Sequence, residues 1–239
     1  MSKRRSVNSV SRRCPNCRIV LALCFCHLQR KIDTKTKVQF IMHHREKNLT
    51  TNTATLAHKI LPHSDLLIYG QKDQETKIGL DPKYKYFFLY PSESARPIHE
   101  VDFSLYPDIT LIVPDGTWRQ AKKMHSHNRE FASIECLKIT ETPLSTYFLR
   151  KEHRPHFLST FEATALALKY MEGEKGEAIT KLLNGQFGEF VIRNLIARSC
   201  YDARKNYSEM REIFISKANY FRDYFKLDPI AFEHFINQS

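Results

Sequence analysis

The sequence predicts an α/β protein: a mainly parallel sheet with helices on both faces, preceded by a small cysteine-rich knuckle and followed by a helical region. Three observations carry this expectation. Short apolar runs alternate with helical patterns from residue 38 to residue 139, residues 109–113 form an apolar run of strand length, and from Ser159 onward the pattern is helical. A strand covered on both faces loses the in–out alternation of a half-buried one, so the run at 109–113 reads as an inner strand. Strands joined by helices are expected to lie parallel, because a helical crossover returns the chain to the same end of the sheet.

Taken in order, residues 38–43 predict the first strand, 53–61 a helix, and 66–69 and 84–90 two further strands. The strand at 109–113 is followed by a helix over 117–127 and a strand over 134–139. Ser159-Thr160-Phe161-Glu162 has the form of a capping box. The Ser hydroxyl takes the third helical amide and the Glu reaches back to the cap, which opens a helix expected to run to residue 171. Helices are expected over 175–200 and 208–236, with a break at 173–176 and no internal repeat.

Composition bounds the function. The chain has 239 residues, 42% hydrophobic, 12% aromatic and 26% charged, values of a globular protein with a real core. No apolar run approaches the roughly 20 residues of a membrane helix. Lys3, Arg4, Arg5, Arg12 and Arg13 lead into cysteines rather than an apolar signal segment, so a cytoplasmic protein that does not engage the membrane is expected. Of 37 Lys/Arg and 26 Asp/Glu, residues 1–37 hold ten cations and one acid, leaving 27 cations against 25 acids. A basic arm on a nearly neutral body favours nucleic acid as partner, with a solubilising tail as the bland alternative.

Four of the six cysteines fall in Cys14-x2-Cys17-x6-Cys24-x-Cys26. Four thiolates this close suit a tetrahedral zinc ion, structural because no coordination position is left for water. A pair of disulfides is the alternative, disfavoured in a reducing compartment. Cys136 and Cys200 stand in apolar surroundings and read as buried small hydrophobes.

The chain has seven glycines and no GxxxxGK[ST], GxGxxG, GxSxG or HExxH, so phosphate-loop, dinucleotide, hydrolase-elbow and zincin chemistries lack their motifs. Three stretches look like loops at strand ends: Leu89-Tyr90-Pro91-Ser92-Glu93; the run from Pro114-Asp115-Gly116-Thr117-Trp118 to Met124; and Tyr147-Phe148-Leu149-Arg150 leading into Leu158-Ser159-Thr160-Phe161-Glu162-Ala163. Ligands of open parallel sheets bind beyond the carboxyl ends of the strands, which points to the second stretch, whose one acid is Asp115. The alternative is an ordinary helix start capped by Asp115 or Thr117, with Trp118 packed as core. His125-x-His127 and His153-x2-His156 read as polar loop or RNA-facing residues, and the aromatics interleaved with basic residues after 200 as helix packing with a solvated basic face.

The four cysteines, Leu89-Tyr90-Pro91, Asp115-Gly116-Thr117-Trp118 with Ala121-Lys122-Lys123-Met124, and Leu158-Ser159-Thr160-x-Glu162-Ala163 resemble, in order, the motifs of the DTW-domain tRNA-uridine aminocarboxypropyltransferases. The likeness covers residues 14–200 and is to the bacterial type acting on the variable-loop uridine. One departure is His43-His44-Arg45-Glu46, where the family pattern has proline after the first histidine; Glu46 and Asn52-Thr53 remain.

The resemblance implies a SPOUT-like knotted fold and transfer of the 3-amino-3-carboxypropyl group of S-adenosylmethionine to N3 of a tRNA uridine. It implies a basic arm and zinc knuckle over 1–37, a catalytic domain over 38–200 and a packed helical extension over 201–239, in a monomer. The donor is expected on Leu89, Tyr90, Pro91 and Ser92, on Val113, Pro114, Gly116, Thr117 and Trp118, and on Leu158, Ser159, Thr160 and Glu162. Asp115 is the candidate base, either desolvated beside Trp118 or orienting the N3 proton without fully taking it. Arg45, Arg119, Lys122, Lys123, Arg150 and Arg154 are the candidate RNA contacts, Arg150 and Arg154 suiting phosphate or the donor carboxylate. Two rival readings remain: an RNA methyltransferase using the same donor, and a non-enzymatic zinc-knuckle RNA-binding protein.

Overall fold

A computed structural model describes residues 13–71, 77, 79–150 and 156–238. The basic residues before Arg13, and the candidates His153 and Arg154, lie outside the described residues. Among the described residues, six strands form one sheet: β1 (Lys37–His43), β2 (Ser64–Tyr69), β3 (Lys85–Leu89), β4 (Arg96–Pro97), β5 (Ile109–Asp115) and β6 (Glu135–Lys138). Their order is β2-β1-β5-β3-β6-β4, every pairing is parallel, and β5 lies between β1 and β3 with Met42 opposite Asp115 and Phe88 opposite Ile112.

Among the described residues, eight α-helices accompany the sheet: α1 (Thr53–Ile60), α2 (Trp118–His127), α3 (Arg129–Ala132), α4 (Thr160–Met171), α5 (Gly176–Ser199), α6 (Tyr207–Ser216), α7 (Ala218–Phe225) and α8 (Pro229–Gln238). Alternate residues of the inner strands feed two separate cores, as a pleat with both faces covered requires. Val38, Phe40, Met42, Leu111 and Val113 face α1, α4 and α5, while Ile41, Phe88 and Ile112 face Met124 of α2 and Phe131 of α3. Gly176 is where α5 crosses α4 closely: a Cβ there would meet the Lys169 carbonyl oxygen at 2.0 Å. Among the described residues, no helix is long and apolar enough to cross a membrane.

The helices expected over 208–236 are three, and α7 ends where Lys226 leaves the helical region with φ +53° and Pro229 cannot donate to a preceding turn. One expectation needs correction. Trp118 is not core: it is 53% exposed.

The knuckle and the last helices share the larger core, which contains Leu23 and Phe25, the inner face of α5, and Phe214 and Phe232. Arg193 of α5 is 4% exposed, donates to the Leu23 and Cys24 carbonyls at 3.2 and 3.4 Å, and lies over the Tyr207 ring at 3.6 Å.

Candidate functional site

Two clefts meet beyond the carboxyl ends of β1, β5 and β3, where the chain order places connections on opposite sides of β5. The first encloses about 850 Å3 out to its open mouth. It is walled by Leu89, Tyr90 and Pro91 after β3, Val113, Pro114 and Gly116 on β5, Leu137 to Ile139 on β6, and Leu158, Ser159 and Thr160 at the start of α4. This mostly apolar wall with a few polar groups has the lining of an organic-ligand site. The second cleft is lined by Glu46, Asn52, Asp115, Tyr147, Arg150 and Phe157, among others. Gly116, Trp118, Arg150 and Thr160 belong to both, so molecules held in the two clefts would touch at that shared wall.

The turn after β5 explains how Asp115 is set free. Thr117 caps α2: its hydroxyl accepts from the Gln120 amide at 3.3 Å, and the Gln120 side-chain oxygen accepts from the Thr117 amide at 2.7 Å. Gln120 folds back over the turn, so a Cβ at position 116 would lie 2.8 Å from its side-chain oxygen and displace that arm of the capping box. The Asp115 carboxylate therefore serves no helix. It is 5% exposed and accepts from Asn52 Nδ2 and from the Thr160 hydroxyl, both at 2.6 Å.

Burial pushes the Asp115 carboxyl above its ordinary value, against the opposing pull of Thr160, Asn52 and the Arg150 charge. Its desolvation comes from this enclosure rather than from Trp118, whose ring stands at the rim 6.1 Å from Phe157 in an edge contact. Glu46, in the same cleft, is also raised, first by burial and then by the negative charge of Asp115.

The remaining candidates divide by position. Ser92 lines neither cleft; its hydroxyl lies 3.5 Å from that of Ser94. Glu162 lines neither, and instead ties the α4 start to the 145–146 turn, accepting from the Ser159 amide, the Thr146 amide and the Ser145 hydroxyl at 2.7, 2.7 and 2.9 Å. Thr117 lines the second cleft only. Arg150 donates to the Phe157 and Leu158 carbonyls at 2.7 and 3.0 Å, bracing the shared wall. Arg119, Lys122 and Lys123 are exposed on α2, and Arg45 is exposed on the loop after β1. His125 is part of the packing, stacked on Tyr90 and 3.2 Å from Cys136 Sγ, and not a loop residue.

Sequence reasoning named Glu46, Asn52 and Tyr147 but gave them no role in the site. Glu46 and Asn52 sit on the loop after β1, and the strand-end rule that singled out Asp115 applies equally there. Asn52 also carried a signal of its own, as the cap of α1, accepting from the Thr55 amide at 2.7 Å. Tyr147 donates its hydroxyl to the Thr51 carbonyl at 2.7 Å, a contact between residues far apart in the chain.

The four knuckle cysteines are free thiols, and their Sγ atoms lie within 4.8 Å of one another. Cys14–Cys26 and Cys17–Cys24 are 3.7 and 3.8 Å apart, against about 3.8 Å for the edge of a tetrahedron with zinc–sulfur bonds of about 2.3 Å. The donor set thus fits zinc. Backbone amides of Cys17 and Asn16 aimed at Cys14 hold its thiol at about 6, the Cys17 amide contributing most. The short Cys24-x-Cys26 arm works because Cys24 is extended: alternate side chains point to opposite sides, so Cys24 and Cys26 face the site while Phe25, 1% exposed, anchors the knuckle in the core.

Comparison with known proteins shows the family. The DTW-domain pattern matches residues 11–194. The chain is similar to tRNA-uridine aminocarboxypropyltransferase 2 of Drosophila melanogaster (25% identity, 67% of this chain and 66% of the relative) and of Macaca fascicularis (28%, 66% and 56%). It is also similar to tRNA-uridine aminocarboxypropyltransferase A of Arabidopsis thaliana (27%, 72% and 76%). The matched region spans less than two thirds of the fly and macaque proteins. No solved structure matches. With the match running from the cysteine knuckle through the Asp115 turn and the start of α4, the chain belongs to the DTW-domain family.

Proposed function

We propose that this protein transfers the 3-amino-3-carboxypropyl group of S-adenosylmethionine to N3 of a uridine in tRNA, releasing 5′-methylthioadenosine. The observation that carries this reading is the junction of the two clefts at Gly116, Trp118, Arg150 and Thr160, with the buried carboxylate of Asp115 in the second. The names of the relatives support the donor group and the acceptor. The donor occupies the first cleft, its adenosine against Tyr90, Pro91 and Leu137 and its reactive carbon toward the shared wall. The uracil enters the second cleft against the Trp118–Phe157 rim.

The reaction then needs little more than alignment and dryness. N3 forms a bond to the γ-carbon, the carbon–sulfur bond breaks, and its electron pair stays on sulfur as the neutral thioether. The imide proton grows more acidic as N3 gives up electron density, so a desolvated carboxylate within hydrogen-bond reach can take it. Asp115 is that acceptor, held by Asn52 and Thr160 with both oxygens oriented. Arg119, Lys122 and Lys123 on α2, with Arg45, take phosphates near the target; Arg150 braces the wall on which the donor carboxylate rests. Zinc on Cys14, Cys17, Cys24 and Cys26 holds the knuckle and takes no part in the chemistry. The meeting of the loops after β3 and β5 with Thr142, Arg150 and Leu158 on one cleft supports a SPOUT-like knotted donor site, and the division 1–37, 38–200 and 201–239 is kept as the functional one, in a cytoplasmic monomer.

A single-turnover reaction with unmodified tRNA tests this. Methylthioadenosine should appear in step with modified RNA. S-adenosylhomocysteine as the main product would overturn the reading in favour of methyl transfer, and binding without either product would leave an RNA-binding module.

A further inference from the structure

A second concave surface opens beside the reaction cleft, between the knuckle and the helices that follow α5. It encloses about 1270 Å3, above the roughly 300–1,000 Å3 of a small-molecule pocket. Arg13, Arg198, Arg204, Lys205 and Lys217 line it against one carboxylate, Asp202, which Arg204 pairs at 2.9 Å. At its edge Tyr220 and Tyr224, 64% and 67% exposed, stack on each other with centroids 6.2 Å apart and ring planes at 21°. A positive groove bordered by exposed, stacked aromatic rings has the two parts of a site for unpaired nucleic acid: charge that follows phosphates and a platform for a base.

The groove is also continuous with the chemistry. Thr51 lines both the groove and the second cleft. Arg198, on the groove wall, donates to the carbonyl of Leu149 at 2.9 Å, and Leu149 lines that cleft. A strand lying in the groove would therefore lead a base past Thr51 to Asp115.

Resting on the function proposed above, we infer that this groove docks the unpaired tRNA segment next to the target uridine, with phosphates on Lys205, Lys217 and Arg198 and a base stacked on Tyr220. α2, which carries Arg119, Lys122 and Lys123, begins at Trp118 on the wall of the second cleft, so positive charge adjoins the target there as well as in the groove.

The test uses the full chain and measures tRNA affinity directly by anisotropy at several salt concentrations, with donor affinity measured separately. Lys205→Ala with Lys217→Ala should weaken tRNA binding about tenfold or more and reduce the slope of log K against log salt by about two. Tyr220→Ala should cost roughly 5- to 100-fold in affinity with the salt slope unchanged. The charge-matched control, Lys175→Ala with Lys181→Ala outside the two clefts and the groove, should bind as wild type. All these side chains are at the surface, and an unchanged melting temperature confirms folding. Groove variants that bind tRNA like the control, or a wild type with no tRNA affinity, overturn the groove. A wild type that binds through the groove but transfers nothing keeps the groove and overturns the reaction. Selective capture of an acidic peptide in place of RNA also overturns it.

Discussion

Asn52 Nδ2 lies 2.6 Å from Asp115 Oδ2 while Asn52 Oδ1 caps α1 through the Thr55 amide at 2.7 Å. One side chain thus joins the start of a helix to the buried acid at the end of a strand, across 63 residues of sequence. The amide can do both only with its nitrogen toward Asp115, so the cap fixes which donor the carboxylate sees.

Asn52→Asp keeps a good capping oxygen but sets a second carboxylate against Asp115. Like charge disfavours the ionised form, so the Asp115 carboxyl rises further and the acid limb of the pH–rate profile moves to higher pH. Transfer rates measured from pH 5 to 9 check this. An unmoved limb removes Asn52 from the positioning of Asp115.

Asp115→Asn should lower the transfer rate by about 10²–10⁴-fold with folding intact, since Thr117 and not Asp115 holds the helix cap. Activity within a few fold of wild type ends the catalytic assignment. A stability effect of opposite sign goes with it. Burial raises the folded-state value of Asp115, so its contribution is fully present below the unfolded value near 3.9 and is lost as pH rises through the folded one. The uncharged Asn escapes that loss, and its melting temperature should gain on wild type between acidic and neutral pH.

Glu162→Gln tests the latch under the α4 start. Each carboxylate oxygen faces a backbone amide, Thr146 at one and Ser159 at the other, both at 2.7 Å. Either orientation of a Gln amide turns its NH2 toward an N–H donor, so a loss of about 2–3 kcal/mol is expected by denaturant titration. Donor affinity should fall too, because Ser159 and Thr160 wall the first cleft. Wild-type stability would show that the 145–146 turn is not held through Glu162.

Purified under reducing conditions, the protein should carry about one zinc per chain. Cys26→Ser should release it and lower the melting temperature by on the order of 10 °C, because Leu23 and Phe25 belong to the main core and the knuckle cannot loosen alone. Binding of tRNA should suffer more than binding of donor. Arg13 lies in the groove and Arg18 holds the Lys47 carbonyl of the loop after β1 at 3.1 Å, whereas the donor cleft is built from β3, β5, β6 and α4. Metal analysis with thiol titration decides the assignment, and freely reactive thiols with no zinc end it.

Some of this molecule could be read from its sequence because the cause is local. The apolar run at 109–113, the Ser159–Glu162 capping box and the Cys14-x2-Cys17 pair are settled by periodicity, by hydrogen bonds within one turn and by ligand spacing, and the structure has each in place. The strand-end rule likewise led to the Asp115 turn. What tertiary structure alone decided are contacts between distant residues: Asn52 and Thr160 on Asp115, Glu46 in the same cleft, Arg193 under the knuckle, and Thr51 shared by cleft and groove. It also decided that Trp118 stands at a rim and not in the core, since a ring on the first turn of a helix can face either way until the opposite wall is known. A capping pattern is written in neighbouring residues, whereas the burial of a carboxylate is the sum of everything that closes over it, and that sum does not exist until the chain has folded.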